Sequence, residues 1–145
     1  MSAPIEPAVA LKLVRRFAAP AERVFDAWLD PATVGRWLFA TPTGAMVRVE
    51  VDARVGGSYA IVERREGEDV EHVGEYLEID RPRRLAFTLK VPKYSQQEDR
   101  LIVEIVPLET GCELTLTHER LAPAYHEQAR AGWGMILDGL ATRLG

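Results

Sequence analysis

From about Pro123 to its C-terminus the sequence carries its strongest periodic signal, and that signal restricts what the chain can fold into. At a helical advance of about 100° per residue, Ala129, Trp133, Ile136, Leu137, Leu140 and Leu144 share one stripe, with Met135, Asp138 and Thr142 opposite. An amphipathic helix of this length has to cover its stripe with another apolar surface, and only the preceding stretch is long enough to supply one. Gly132, Gly134 and Gly139 interrupt the helix at a cost of about 1 kcal/mol each relative to alanine. They are consistent with close backbone approach, with space left for another molecule, or with simple tolerance.

In that preceding stretch the period is two. Val47, Val49 and Val51 alternate with Arg48, Glu50 and Asp52; Tyr59 and Ile61 share a face; Leu85, Phe87, Leu89 and Val91 alternate cleanly. Leu101, Val103 and Ile105 repeat the pattern, as do Leu114, Leu116 and His118. Turn residues separate these runs at Gly56-Gly57, Glu66–Asp69, Asp80–Arg83 and Glu109–Gly111. Between Val70 and Ile79 the phase is ambiguous, and a bulge at Gly74 would switch it. An earlier strand runs from Val9 to Phe17. Two short helices follow it, one from about Pro20 to Leu29 and one from Ala32 to about Trp37, with Asp30 as N-cap of the second. Strands joined by short turns indicate an antiparallel meander of about six or seven strands rather than βαβ units. The fold class is therefore α+β: a curved antiparallel sheet wrapped around a long C-terminal helix.

The 145 residues fit a single domain, with a core over about 9–144 and residues 1–8 expected as a flexible lead-in. Hydrophobic residues at 47%, charged residues at 28% and a net charge of −4 with interleaved signs give no basic field for nucleic acid. No apolar run spans a bilayer and no secretory signal opens the chain, so a cytoplasmic location is expected. Cys112 is the one cysteine, and its place at a strand start reads as a small buried hydrophobe rather than a nucleophile. His72, His118 and His126 lack the short spacing of a metal motif, so no metal is expected. Neither a phosphate loop, a dinucleotide fingerprint nor a nucleophile elbow is present, and no cofactor is expected.

The words of the sequence resemble a known family. Arg16-Phe17-Ala18-Ala19-Pro20-Ala21-Glu22-Arg23-Val24-Phe25-Asp26-Ala27-Trp28 is similar to the entry of proteins related to the C-terminal domain of the activator of the 90-kDa heat-shock-protein ATPase. So are Gly56-Gly57-Ser58-Tyr59, the stretch from Gly74 to Leu85, Leu114-Thr115-Leu116-Thr117-His118 and Gly132-Trp133. These lie in family order across about Lys12 to Leu144. That branch belongs to the START-like, birch-pollen-allergen-like (SRPBCC) superfamily. The resemblance implies the helix-grip fold and a cavity between sheet and C-terminal helix. The superfamily includes lipid and hormone binders and polyketide aromatase/cyclases. The eukaryotic co-chaperones joined to this branch also carry a separate N-terminal domain, for which this chain has no room.

What the resemblance adds to the apolar pattern is a binding cavity for a small hydrophobic molecule, a lipid or an aromatic metabolite, in a non-catalytic carrier or sensor that is a monomer or homodimer. Its lining would be Trp37, Phe39, Tyr59, Tyr76, Phe87, Leu89, Val103, His118, Trp133 and Leu137. The same residues read without the resemblance are a core. His118, in phase with Leu114 and Leu116, is first a hydrogen-bonded core or rim histidine, second a ligand contact and third a general base. Glu63 is a further polar group that would face the cavity. The segment Thr41–Gly44 would border its mouth, and Pro92–Asp99, with Tyr94, would form an opposing lid. Two alternatives remain open: a cyclase or hydrolase using His118 or Tyr76, and a module that contacts a 90-kDa heat-shock chaperone.

Overall fold

A computed structural model of the chain describes residues 9–41, 43–94, 96–121 and 123–144. The expected lead-in at 1–8, and Pro42 and Ser95 in the two expected mouth loops, lie outside the described residues. Seven antiparallel strands form one sheet: β1 (Val9–Phe17), β2 (Ala45–Val51), β3 (Ser58–Arg65), β4 (Glu68–Asp80), β5 (Arg84–Leu89), β6 (Asp99–Pro107) and β7 (Cys112–Leu121). Their order across the sheet is β1-β7-β6-β5-β4-β3-β2, so the meander runs from one edge to the other and the first strand closes beside the last. The link from β1 to β2 therefore crosses the whole sheet. It does so over the inner face through α1 (Ala21–Ala27) and a 3-10 turn (Val34–Arg36). The second expected helix is thus a single 3-10 turn, and its N-cap is Thr33 rather than the expected Asp30; Asp30 sits in the turn before it, where its carboxylate accepts the Ala32 amide and the Thr33 hydroxyl.

The long helix, α2 (His126–Leu144), follows a 3-10 turn at Pro123–Tyr125 and lies closest to β1 and α1. Trp133, Leu137 and Leu140 are its buried residues on the expected stripe, with Ala129, Ile136 and Leu144 packed at its margins. Each full burial contributes roughly 2 kcal/mol, enough together to fix the helix on the sheet. The three helix glycines do not mark vacant space for a ligand. Gly132 is on the exposed side, Gly134 abuts the flexible end of Arg15, and a methyl at Gly139 would make ordinary contact with Trp37 at 3.6 Å.

In β4 the inner face is Val70, His72 and Tyr76, and the phase does switch, but at Leu77 rather than at Gly74. The register breaks between Tyr76 and Glu78, which turns Leu77 outward and lets Ile79 rejoin the core. Gly74 has a different task. A Cβ there would lie 1.9 Å from the Thr88 carbonyl oxygen, so only glycine lets β4 come this close to β5. No helix among the described residues is long and apolar enough to cross a membrane.

Candidate functional site

The inner face of the sheet brings the predicted residues together. Trp37, Phe39, Tyr59, Tyr76, Phe87, Leu89, Val103, His118, Trp133 and Leu137 are all buried, and all but His118 form one hydrophobic cluster with Trp28 and Leu38. They divide into two groups along the strands.

Toward the β4–β5 turn lies an aromatic group. Trp28 meets Trp37 edge-on at 4.8 Å and Phe87 at 6.1 Å, and Tyr59 packs between Tyr76 at 5.6 Å and Phe87 at 5.8 Å. Trp28, Leu38, Tyr59, Ile61, Tyr76, Leu85 and Phe87 enclose a void of about 10 Å³, close to the space one water needs. The Tyr59 hydroxyl donates to the Thr88 carbonyl at 2.7 Å, and burial pushes the phenols of both Tyr59 and Tyr76 upward. The indole N–H groups of Trp28 and Trp37 are buried and, among the described residues, have no acceptor. Such donors are rare in native interiors, because each forfeits its hydration without replacement. Trp28 was not among the expected lining residues. Its signal in the sequence is its phase with Val24 and Phe25, which turns all three inward from α1.

Toward the other end lies a polar group. Phe39 stacks on the His72 ring at 4.4 Å and meets Trp133 edge-on at 5.9 Å. Trp133 donates its indole N–H to His118 Nδ1 at 3.3 Å, which leaves the proton of the neutral ring on Nε2. That nitrogen stands 3.2 Å from an Asp99 carboxylate oxygen, close enough for electrostatic attraction but too poorly aligned for a hydrogen bond. Burial pulls the His118 pKa down and Asp99 pulls it partly back. His72 offers Nδ1 to the Ile61 carbonyl at 3.2 Å, and burial, with Arg65 nearby, lowers its pKa to about 4. Both rings are therefore neutral at pH 7, and both are tied to neighbours.

One carboxylate lies inside this frame. Glu63, 1% exposed, follows Tyr59 and Ile61 in phase on β3. Its oxygens accept the Thr41 amide at 2.6 Å, the Thr41 hydroxyl at 3.0 Å and the Arg65 guanidinium. Burial alone would raise its pKa; Arg65 and the two Thr41 donors outweigh that and hold it below the usual carboxylate range. Arg65 also donates to the Phe39 carbonyl at 3.1 Å. Phe39 itself sits at a φ of 60°, in the left-handed region that a bulky side chain rarely adopts. The Glu63–Arg65 pair thus latches the segment that carries Phe39 down onto β3. In the segment expected to form the opposing lid, Tyr94 is exposed beside the Lys93 ammonium, and Asp99 belongs to β6.

Residues 18–145 match the family model described as activator of Hsp90 ATPase homolog 1-like protein. The chain belongs to this family. Among solved structures, protein CV1439 from Chromobacterium violaceum is similar at 30% identity, covering 92% of this chain and 94% of that one with a TM-score of 0.83. An AHSA1-like protein from Aeromonas hydrophila is 21% identical over 92% of this chain and 90% of its own, with a TM-score of 0.80. CalU16 from Micromonospora echinospora is 23% identical over 92% of this chain and 74% of its own, with a TM-score of 0.70. At that identity the last two speak for the fold alone. No curated protein matches the chain. AHSA1-like proteins are members of the SRPBCC superfamily, and the helix-grip arrangement of the sheet around α2 agrees with that membership.

Proposed function

We propose that this AHSA1-like protein binds a small hydrophobic molecule, an aromatic metabolite with a carbonyl or similar acceptor, between the sheet and α2. The observation that carries this reading is the buried Trp28 indole N–H, without an acceptor, in the wall of an aromatic-lined void. A planar ligand would stack among Tyr59, Tyr76 and Phe87 and take the Trp28 proton on its acceptor. The void is too small for a whole ligand, so entry requires Leu38 and Phe39 to move. Leu38 forms part of the void's wall, and Phe39 holds a strained backbone conformation secured by the Arg65 contact. The remaining expected residues, Leu89, Val103 and Leu137, complete the apolar wall.

Binding is favoured over cyclase chemistry by the state of the candidate bases. His118 has one ring nitrogen occupied by Trp133 and the other facing Asp99, and burial moves the Tyr76 phenol away from neutrality. Contact with a 90-kDa heat-shock chaperone follows from the family description alone. The lone buried thiol of Cys112, its pKa pushed up by burial, suits the reducing cytoplasm in which we place the protein.

The test follows indole N–H resonances during titration with small aromatic ketones, 9-fluorenone and 1-tetralone among them. The Trp28 signal should shift saturably, and Phe87→Ala should weaken the effect at least about tenfold, as loss of a buried aromatic contact implies. An unmoved Trp28 signal, together with an unchanged melting temperature across the series, would reject the reading.

A further inference from the structure

A second concavity lies on the outside of the molecule, where α1, the 3-10 turn and the last turn of α2 converge. It holds about 610 Å³, the size of a small-molecule site, and Ala27, Trp37, Leu140 and Leu144 give it an apolar wall. Arg23, Arg36 and Arg143 reach it from three separate elements. Among the described residues, these three have no hydrogen-bond or ion-pair partner. Every other arginine whose side chain is described holds a carboxylate or a main-chain carbonyl. In a chain with net charge −4, carboxylates are not scarce, so three uncommitted guanidinium groups in one groove form a selective pattern.

The acidic groups of the same groove are mostly engaged elsewhere. Asp26 receives a bidentate bond from Arg81 at 2.7 and 2.9 Å, and the Asp30 carboxylate accepts the Ala32 amide and the Thr33 hydroxyl. Glu22 lies in the field of Arg81. Trp37, whose indole N–H is buried without an acceptor, lies in the groove wall as well as in the core.

From this placement we infer that the groove is a binding site for an amphiphilic oxyanion, a phosphate monoester or carboxylate with a short apolar body. The guanidinium groups would take the oxyanion head, since their planar forks match phosphate and carboxylate oxygens, and the wall of Trp37, Leu140 and Leu144 would take the tail. The site is separate from the interior one and does not depend on it.

The probe is hexyl phosphate, with hexan-1-ol as the uncharged control, followed by titration calorimetry and by the Trp37 indole resonance. Wild-type protein should bind hexyl phosphate and not hexanol, and more weakly as sodium chloride rises to roughly 0.5 M. The triple variant Arg23→Gln/Arg36→Gln/Arg143→Gln should lose at least about tenfold in affinity, given the strength of charge-assisted bonds. Arg36→Gln alone should lose part of it should the triple variant fold poorly. Vesicles of phosphatidic acid in phosphatidylcholine form a second arm. Arginine-dependent co-sedimentation assigns the same head-group chemistry to a lipid, and arginine-dependent binding of hexyl phosphate alone assigns it to a free metabolite. Binding of neither probe, equal binding of hexanol, or binding that the arginine variants leave unchanged overturns the inference. A shift of Trp28 on fluorenone with no shift of Trp37 on hexyl phosphate would remove this site and leave the interior one standing.

Discussion

His72 should make the protein acid-labile well above the range in which carboxylates titrate. The unfolded ring has an ordinary pKa of about 6.5, and the folded one is held at about 4 by burial and by Arg65. The folded state therefore binds this proton less readily than the unfolded state. Stability is full above about pH 6.5 and falls as pH drops toward 4. With those two values the linkage relation gives a loss of about 2 kcal/mol by pH 5 and about 3 kcal/mol by pH 4. His118, also depressed by burial, adds a smaller loss of the same sign. Urea denaturation followed by tryptophan fluorescence at about pH 7.5 and pH 5 measures the difference. His72→Gln, which keeps a donor for the Ile61 carbonyl but cannot take up the proton, should remove most of the slope between those values. If His72→Gln loses stability with pH as steeply as wild type, the acid sensitivity belongs to another group and the reasoning about His72 fails.

Three further substitutions test the frame around the site. Arg65→Gln leaves the Glu63 carboxylate buried with Thr41 as its remaining partner and frees the Phe39 carbonyl. It should cost roughly 3 kcal/mol in urea denaturation, while Glu63→Gln, which buries no charge, should cost less; equal losses would mean that the ion pair is not what holds the segment. Gly74→Ala drives a methyl into the Thr88 carbonyl and should cost more than about 3 kcal/mol or abolish soluble expression; near-wild-type stability would show that β4 and β5 can separate there without penalty.

The fold was legible where one periodicity ran unbroken. The α2 stripe and the strand phases of β5, β6 and β7 are local features that burial enforces at each position. Beta4 was harder because Gly74 and the phase change at Leu77 are independent: the glycine answers to a backbone on the neighbouring strand, and the bulge involves residues that carry no special turn chemistry. The site was legible as a set of inward residues, but not as a network. Glu63 shows its inward phase and its neighbour Arg65 in the sequence, whereas its other partner, Thr41, lies 22 residues earlier and reaches it only through the crossing between α1 and β2. The His118–Trp133 bond likewise spans strand and helix across 15 residues. Side chains can be assigned to a face from spacing; which of them meet depends on the chain path between elements.

That path also explains why the two concavities, which share no lining residue, are separated by a single indole–indole contact. The link from β1 to β2 must cross the whole inner face, and Trp28 and Trp37 stand at either end of its tightest portion, edge to face at 4.8 Å. Trp28 faces the interior void, and Trp37 borders the outer groove beside Leu140 and Leu144 of α2. The two indoles thus join the inside of the grip to its outer surface by direct ring contact, because the same crossing segment that covers the inner face also forms the groove's floor beside α2.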